Sequence, residues 1–228
     1  MPYCARKHQL TQSLLYHAYN RSNGMTAIFN QEPDYNYFIN LLRDYSKRFN
    51  MRIYHWVIMS NHYHLLLEID NPEKISSFMA GLNRSYSCYH HKTYSSTGFL
   101  WQGRFKLQPV QKDDYLTACG RYIERNPVKA NIVQESLQYP YSSALFYCLD
   151  KKDGLTIEDP LFCNFGSDIH KRRLAYKEFL KNFDIEEERY FSNLEQPVGD
   201  KEFLKRLIIL NGRYLPRRKG RIVKRFVS

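Results

Sequence analysis

Two histidines, His62 and His64, stand one residue apart in the run Tyr54-His55-Trp56-Val57-Ile58-Met59-Ser60-Asn61-His62-Tyr63-His64-Leu65-Leu66-Leu67-Glu68. On a β-strand successive side chains alternate between faces, so residues two apart project to the same side. The two imidazoles can then offer nitrogens to one divalent cation. Such a cation polarises a phosphoryl oxygen or activates water. By itself a His-x-His pair is a weak signal. A second group lies further on, where Tyr115, Cys119, Tyr122 and Asn126 recur at helical spacing and share one face. A phenol can attack a phosphodiester when a cation withdraws charge from the phosphate. A neutral Asn supplies a carbonyl oxygen that a hard cation accepts.

The elements that must carry these groups follow from pattern. The histidine run reads as two strands with a tight turn near Ser60 and Asn61, because β-branched and aromatic residues fill its first half and leucines its second. Tyr63, Leu65, Leu67 and Ile69 form one face, expected in a core. His62, His64, Leu66 and Glu68 form the other, expected to be open to a substrate. Residues 13–21 read as a first strand, ended by the turn residues Ser22-Asn23-Gly24. His17 on that strand reads as a core or sheet histidine. A helix after Pro33 carries the stripe Phe38, Leu41, Leu42, Tyr45 and Phe49, and a second after Asn71-Pro72-Glu73 carries Ile75, Phe78, Met79, Leu82, Tyr86 and Tyr89. A fourth strand runs to Val110, and Pro109 makes it an edge strand. Asp113 or Asp114 caps the helix that bears Tyr122, and Asn126-Pro127 ends it. Gly120 inside that helix either admits a close approach of DNA or is simply tolerated. The order strand, helix, strand, strand, helix, strand, helix gives an α+β fold, an antiparallel sheet with helices packed on it.

After about residue 149 the texture changes to turn-like and charged residues. Two short helical stripes follow, Tyr176, Phe179, Leu180 and Phe183, then Phe203, Leu204, Leu207 and Ile208, with Asp200 as a cap. We therefore expect a domain over residues 1–149 and a helical appendage over 150–228. The chain has 228 residues and a formal net charge of +11, with pI near 9.4. A surplus of this size favours an anionic partner, and nucleic acid is the commonest. From Arg213 to the end there are seven basic residues and no acidic one. The five cysteines are scattered and form no Cys-x-x-Cys pair, which suggests neither a disulfide framework nor a zinc site. No signal peptide or membrane-spanning run is read, so a cytoplasmic protein is the expectation.

Trp56-Val57-Ile58-Met59-Ser60-Asn61-His62-Tyr63-His64-Leu65 resembles the metal strand of the HUH single-tyrosine transposases, and of the REP-associated tyrosine transposase family in particular. Tyr16-His17 with Asn20-Arg21, Trp101-Gln102-Gly103-Arg104-Phe105, and Arg121-Tyr122-Ile123-Glu124-Arg125-Asn126-Pro127-Val128-Lys129-Ala130 are similar to three further segments of that family, in the same order. The resemblance spans roughly residues 14–145. It departs at Ser60, where many relatives have Pro. It implies an HUH, ferredoxin-like sheet, Tyr122 as nucleophile, and Mg²⁺ or Mn²⁺ held by His62, His64 and Asn126. It implies cleavage and joining of single-stranded DNA at hairpin-forming repeats or transposon ends, through a 5′-phosphotyrosine link.

Tyr115, on the same helix face, is the alternative nucleophile. Arg21, Arg104, Lys106, Arg121, Arg125, Arg217, Arg218, Lys219 and Arg221 are candidates for contact with single-stranded or hairpin DNA. A homodimer is among the arrangements the sequence permits. The competing function is a non-catalytic nucleic-acid-binding regulator on the same fold. It leaves the set of His62, His64 and Tyr122 without a use.

Overall fold

The computed structural model describes residues 15–71, 73–182, 185–193 and 197–211. Its centre is a four-stranded antiparallel sheet built from β1 (Leu15–Arg21), β2 (Met51–Ile58), β3 (His62–Ile69) and β4 (Lys106–Val110), in the order β2-β3-β1-β4. Helix α1 (Glu32–Phe49) joins β1 to β2, and α2 (Lys74–Tyr94) joins β3 to β4. Helix α3 (Asp114–Glu124) follows β4. This is the α+β architecture expected from the pattern. β4 lies at a sheet edge, where Pro109 removes no ladder bond to an outer neighbour.

The sheet buries both faces. One packs on α1 and α2 through Phe38, Leu42, Tyr63, Leu65, Leu67, Phe78, Leu82 and Tyr86, all fully buried. The i, i+3, i+4 spacing of the helix residues makes one stripe, which this face covers. Truncation in this layer, such as Leu42→Ala, costs about 2–5 kcal/mol. The other face packs on α3 through Val57, Leu66, Leu116, Cys119 and Ile123. The face of β3 that carries His64, Leu66 and Glu68 was expected to be open, and it is closed instead, with only His62 half-buried. A strand covered on both sides loses the polar-out alternation, and the run Leu65-Leu66-Leu67 reflects that.

Asp113 caps α3 by accepting the Tyr115 N–H at 3.1 Å. The chain does not stop being helical at Pro127. A further turn, α4 (Asn126–Lys129), begins directly after Arg125, and Pro127 sits in its first turn, where a missing N–H costs nothing. Residues beyond it run back along β2, with Ile58 N–H on the Tyr141 carbonyl at 3.0 Å and Ser143 N–H on the Trp56 carbonyl at 3.0 Å, so the β2 edge is covered.

Helices α5 (Ala144–Leu149) and α6 (Ile169–Lys181) share a third hydrophobic cluster made by Ala144, Tyr147, Phe162, Tyr176 and Leu180. A helix that the two stripes had not indicated, α7 (Ile185–Ser192), lies against α3 and places Phe191 in the α3 layer. α8 (Lys201–Asn211) starts at Asp200, which accepts the Phe203 N–H at 2.7 Å. Just before it, Val198 exchanges backbone bonds with Pro109 and Gln111 and so covers the β4 edge. No helix among the described residues is long and apolar enough to cross a membrane.

Candidate active site

His62 opens β3, and His64 follows on the same face. Their rings lie edge to face with centroids 5.2 Å apart. A ligating nitrogen sits about 2 Å from its cation, so two rings this close can reach one ion. β1 places Arg21 opposite His62 and Tyr19 opposite His64. The Tyr19 ring lies 4.7 Å from His64 and 5.7 Å from His62.

Helix α3 brings Tyr122 to this group. Its ring centroid is 5.9 Å from that of His64 and 5.8 Å from that of His17, edge to face in both cases. Tyr115 lies two turns earlier, with Asp113, Asp200 and Tyr190 as its charged and phenolic neighbours. Among the ring contacts of the described residues, Tyr122 and not Tyr115 meets the histidines. Lys129 holds its ammonium 5.6 Å from the Tyr122 ring centroid and pairs with Glu188 of α7 at 2.5 Å. Phe191 covers another side of the phenol, with ring centroids 5.7 Å apart.

Asn126 is buried at the junction of α3 and α4. Its amide nitrogen donates to the carbonyls of Tyr122 at 2.9 Å and Ile123 at 3.1 Å. The carbonyl oxygen is then the end available to a cation. Among the described residues no group of three or more His, Cys, Asp or Glu is gathered to hold a metal. Of the three ligands that the resemblance implies, the two imidazoles are brought together, and a set of two imidazoles and one amide suits a hard cation that completes its shell with water and phosphate oxygens. Glu68, on the same strand face, is engaged elsewhere. It accepts from Tyr54 and from Lys112 at 2.9 Å.

Burial governs the electrostatics. It holds the His62 ring down to about 4, with Arg21 adding to the effect. His64 is pushed well below the ordinary imidazole value, by burial first and then by His17, His62 and Lys129. Both rings are therefore neutral near pH 7, as a metal ligand must be. Burial drives the Tyr122 phenol well above its usual range, with Cys119, Glu188 and Tyr19 contributing in the same direction. The resting phenol carries its proton.

Other groups close the site. His17 is fully buried, with Nε2 at 2.7 Å from Nδ1 of His64 and Nδ1 at 3.0 Å from Oε1 of Gln108. Gln108 donates to the carbonyls of Asn193 at 2.8 Å and Tyr190 at 3.3 Å. Sequence spacing gave no sign of Gln108 or Lys129, because strand register and helix packing bring them in.

The basic candidates divide. Arg21 donates to Gln102 at the His62 end of the sheet, and Arg104 and Lys106 are exposed. Arg121 stacks its guanidinium 3.9 Å over Phe179 and donates to the Phe179 and Asn182 carbonyls. Arg125 donates to the Leu180 carbonyl at 2.5 Å and to that of Lys181 at 3.3 Å. These two arginines hold the C-terminal end of α6. Arg217, Arg218, Lys219 and Arg221 lie outside the described residues.

Gly120 faces the protein. A Cβ there would sit 2.7 Å from the His55 ring. His55 is fully buried, with Nδ1 at 2.9 Å from Glu124 Oε1 and Nε2 at 3.2 Å from Asp159 Oδ2. Glu124 also accepts from Ser143 at 2.6 Å and Tyr176 at 2.9 Å.

Comparison with known proteins bears on the family and the fold. The family model described as "Transposase IS200 like" matches residues 10–126, just over half of the chain. A search of the curated proteins gave no match. Among solved structures, a REP-associated tyrosine transposase bound to a REP hairpin is similar at 18% identity and a TM-score of 0.52, over 74% of this chain and 93% of that one. The chain belongs to the IS200-like transposase family and shares the fold of a REP-associated tyrosine transposase.

Proposed function

We propose that the protein cleaves and rejoins single-stranded DNA at hairpin-forming repeats or transposon ends, with Tyr122 as nucleophile. The observation that carries this reading is the approach of Tyr122 to His64 and, through it, to His62. A regulator that only bound DNA would have no use for a phenol set, half-buried, against two neutral imidazoles. His62, His64 and the carbonyl of Asn126 would hold Mg²⁺ or Mn²⁺, which supplies Lewis-acid polarisation of the scissile phosphate when bound.

The chain's own residues do the rest. The Tyr122 oxygen attacks phosphorus, the bond to the 3′ oxygen breaks, and the phenol's proton ends on the released 3′-hydroxyl. The 5′ phosphate stays on Tyr122 as an ester. Rejoining is the same transesterification run backwards from a 3′-hydroxyl. Lys129, paired with Glu188, lies beside the phenol ring. Residues 1–149 carry these groups. We assign the exposed Arg104 and Lys106, and the basic residues from Arg213 onward, to contact with hairpin DNA. A REP hairpin is the ligand of the similar solved structure, and the net charge of +11 suits such a partner.

The test is direct. Wild-type protein with single-stranded DNA containing a hairpin, and with Mn²⁺, should give an adduct stable to denaturant, joined through a 5′ phosphate to a peptide containing Tyr122. Tyr122→Phe keeps the ring, so it should bind the DNA and form no adduct. An adduct on Tyr115 would move the nucleophile. No adduct under any metal would leave DNA binding as the function.

A further inference from the structure

We propose that Gln108 and Asn61 are positioning residues that fix the ring tautomers of His64 and His62, so that Nε2 of each ring is left as a bare lone pair. The inference rests on the reading of His62 and His64 as cation ligands and deepens it.

An amide side chain has a donor end and an acceptor end, and its neighbours decide which is which. Gln108 has one end 2.8 Å from the Asn193 carbonyl and 3.3 Å from the Tyr190 carbonyl. Carbonyls only accept, so that end is the NH₂. The other end is therefore the oxygen, and it lies 3.0 Å from Nδ1 of His17. That nitrogen must carry the proton. His17 is fully buried, and neither of its nitrogens meets a carboxylate among the described residues. A second proton would make an unpaired buried cation, which is strongly unfavourable. Nε2 of His17 is thus an acceptor. It lies 2.7 Å from Nδ1 of His64, so the single proton in that contact belongs to His64 Nδ1. By the same burial argument Nε2 of His64 is bare.

His62 is treated the same way in one step. The Asn61 nitrogen donates to the Met25 carbonyl at 2.9 Å, which turns its oxygen toward Nδ1 of His62 at 2.6 Å. Nδ1 carries the proton, and in the neutral ring Nε2 is bare. Among the described residues neither Nε2 has a hydrogen-bond partner. Were Gln108 reversed, every donor in its chain would reverse too. His17 would then donate from Nε2, and His64 would hold its proton on Nε2, where a cation must bind. Two backbone carbonyls at the end of α7 thereby set the state of a ring on β3.

The test reads the metal-free protein. Histidine labelled with ¹⁵N, observed by long-range ¹H–¹⁵N correlation, distinguishes an Nδ1–H ring from an Nε2–H ring. The wild type should show His17, His62 and His64 all protonated at Nδ1. Gln108→Leu keeps the bulk and removes both ends of the amide. It should move His64 toward the Nε2–H form and weaken Mn²⁺ binding, measured by titration, about tenfold or more. An Nε2–H form of His64 in the wild type overturns the inference, whether or not the variant folds. So do an unchanged His64 tautomer and unchanged Mn²⁺ affinity in a folded Gln108→Leu. Failure of the metal reading looks different: His64→Ala would bind Mn²⁺ as tightly as the wild type, while the wild-type tautomers stayed as described.

Discussion

Raising the pH through the alkaline range should destabilise this protein by way of one buried residue, His55. Both ring nitrogens face carboxylates, Glu124 at 2.9 Å and Asp159 at 3.2 Å, and all three side chains are buried. Both nitrogens therefore carry protons, and the ring is a cation. Burial opposes the charge, but Glu124 and Asp159 together outweigh it and raise the His55 pKa from 6.5 to about 9. The unfolded chain releases this proton near pH 6.5, whereas the native one keeps it to about 9. Between those values the native state binds more protons, so stability falls as pH rises. The contribution is fully present below pH 6.5 and lost on passing about 9. A shift of this size corresponds to about 3 kcal/mol, against a typical domain stability of about 5–15 kcal/mol. Urea unfolding followed by tryptophan fluorescence at fixed ionic strength, from pH 6 to 9.5, should show a loss of that order. Glu124→Gln keeps the shape but only one acceptor oxygen, where the carboxylate offers Oε1 to Ser143 and Oε2 to Tyr176, and it removes one anion. It should cost about 3–5 kcal/mol near pH 6.5 and flatten the pH dependence. A wild-type stability that is level or rising between pH 6.5 and 9 would refute the reasoning. So would a Glu124→Gln variant as stable as the parent.

Three further outcomes are expected. His62→Ala or His64→Ala should abolish cleavage in Mg²⁺ or Mn²⁺ while hairpin binding, measured by anisotropy, stays near the wild-type value. Full cleavage in excess chelator would remove the metal from the mechanism. Gly120→Ala should destabilise the protein by about 1–3 kcal/mol in urea unfolding. The gain of about 1 kcal/mol in helix propensity is outweighed because the methyl would sit 2.7 Å from the His55 ring. Deleting residues 213–228, with their seven basic side chains, should flatten the dependence of DNA affinity on salt, because the shortened chain neutralises fewer phosphates and so releases fewer counterions on binding.

Periodicity made the sheet and its first three helices legible. The hairpin around Ser60 and Asn61, the stripe from Phe38 to Phe49 and the edge position of Pro109 each follow from a local rule. The covered face of β3 was not legible from His62, His64 and Glu68 alone, because three polar residues on one side suggest water. The decisive residues were Val57 and Leu66, which sit on that same side and meet α3. Gly120 did signal a close approach, but local sequence does not say to what, and the partner is a histidine 65 positions earlier in the chain. Gln108 had no sequence signal at all. It meets His17 only because β1 and β4 pair in that register. α7 is eight residues long with a short apolar face, too little for pattern to register.

The segment around Tyr122 is better understood as a docking surface than as a string of DNA contacts. Gly120 seats the helix on His55, and Glu124 pairs with the same ring. Arg121 and Arg125, one turn apart, grip the end of α6. Asn126 ties back to the Tyr122 and Ile123 carbonyls. Tyr122 meets the rings of His17 and His64. The partners that hold the helix come from both parts of the chain: His55 and Ser143 from the first, Asp159, Tyr176 and Phe191 from the second. A reacting phenol misplaced by about 1 Å can lose on the order of a hundredfold in rate. Under the proposed function, the segment after residue 149 would therefore bear on catalysis without supplying a reacting atom. It completes the buried ion cluster behind α3, and through the Tyr190 and Asn193 carbonyls it orients the amide in front of it.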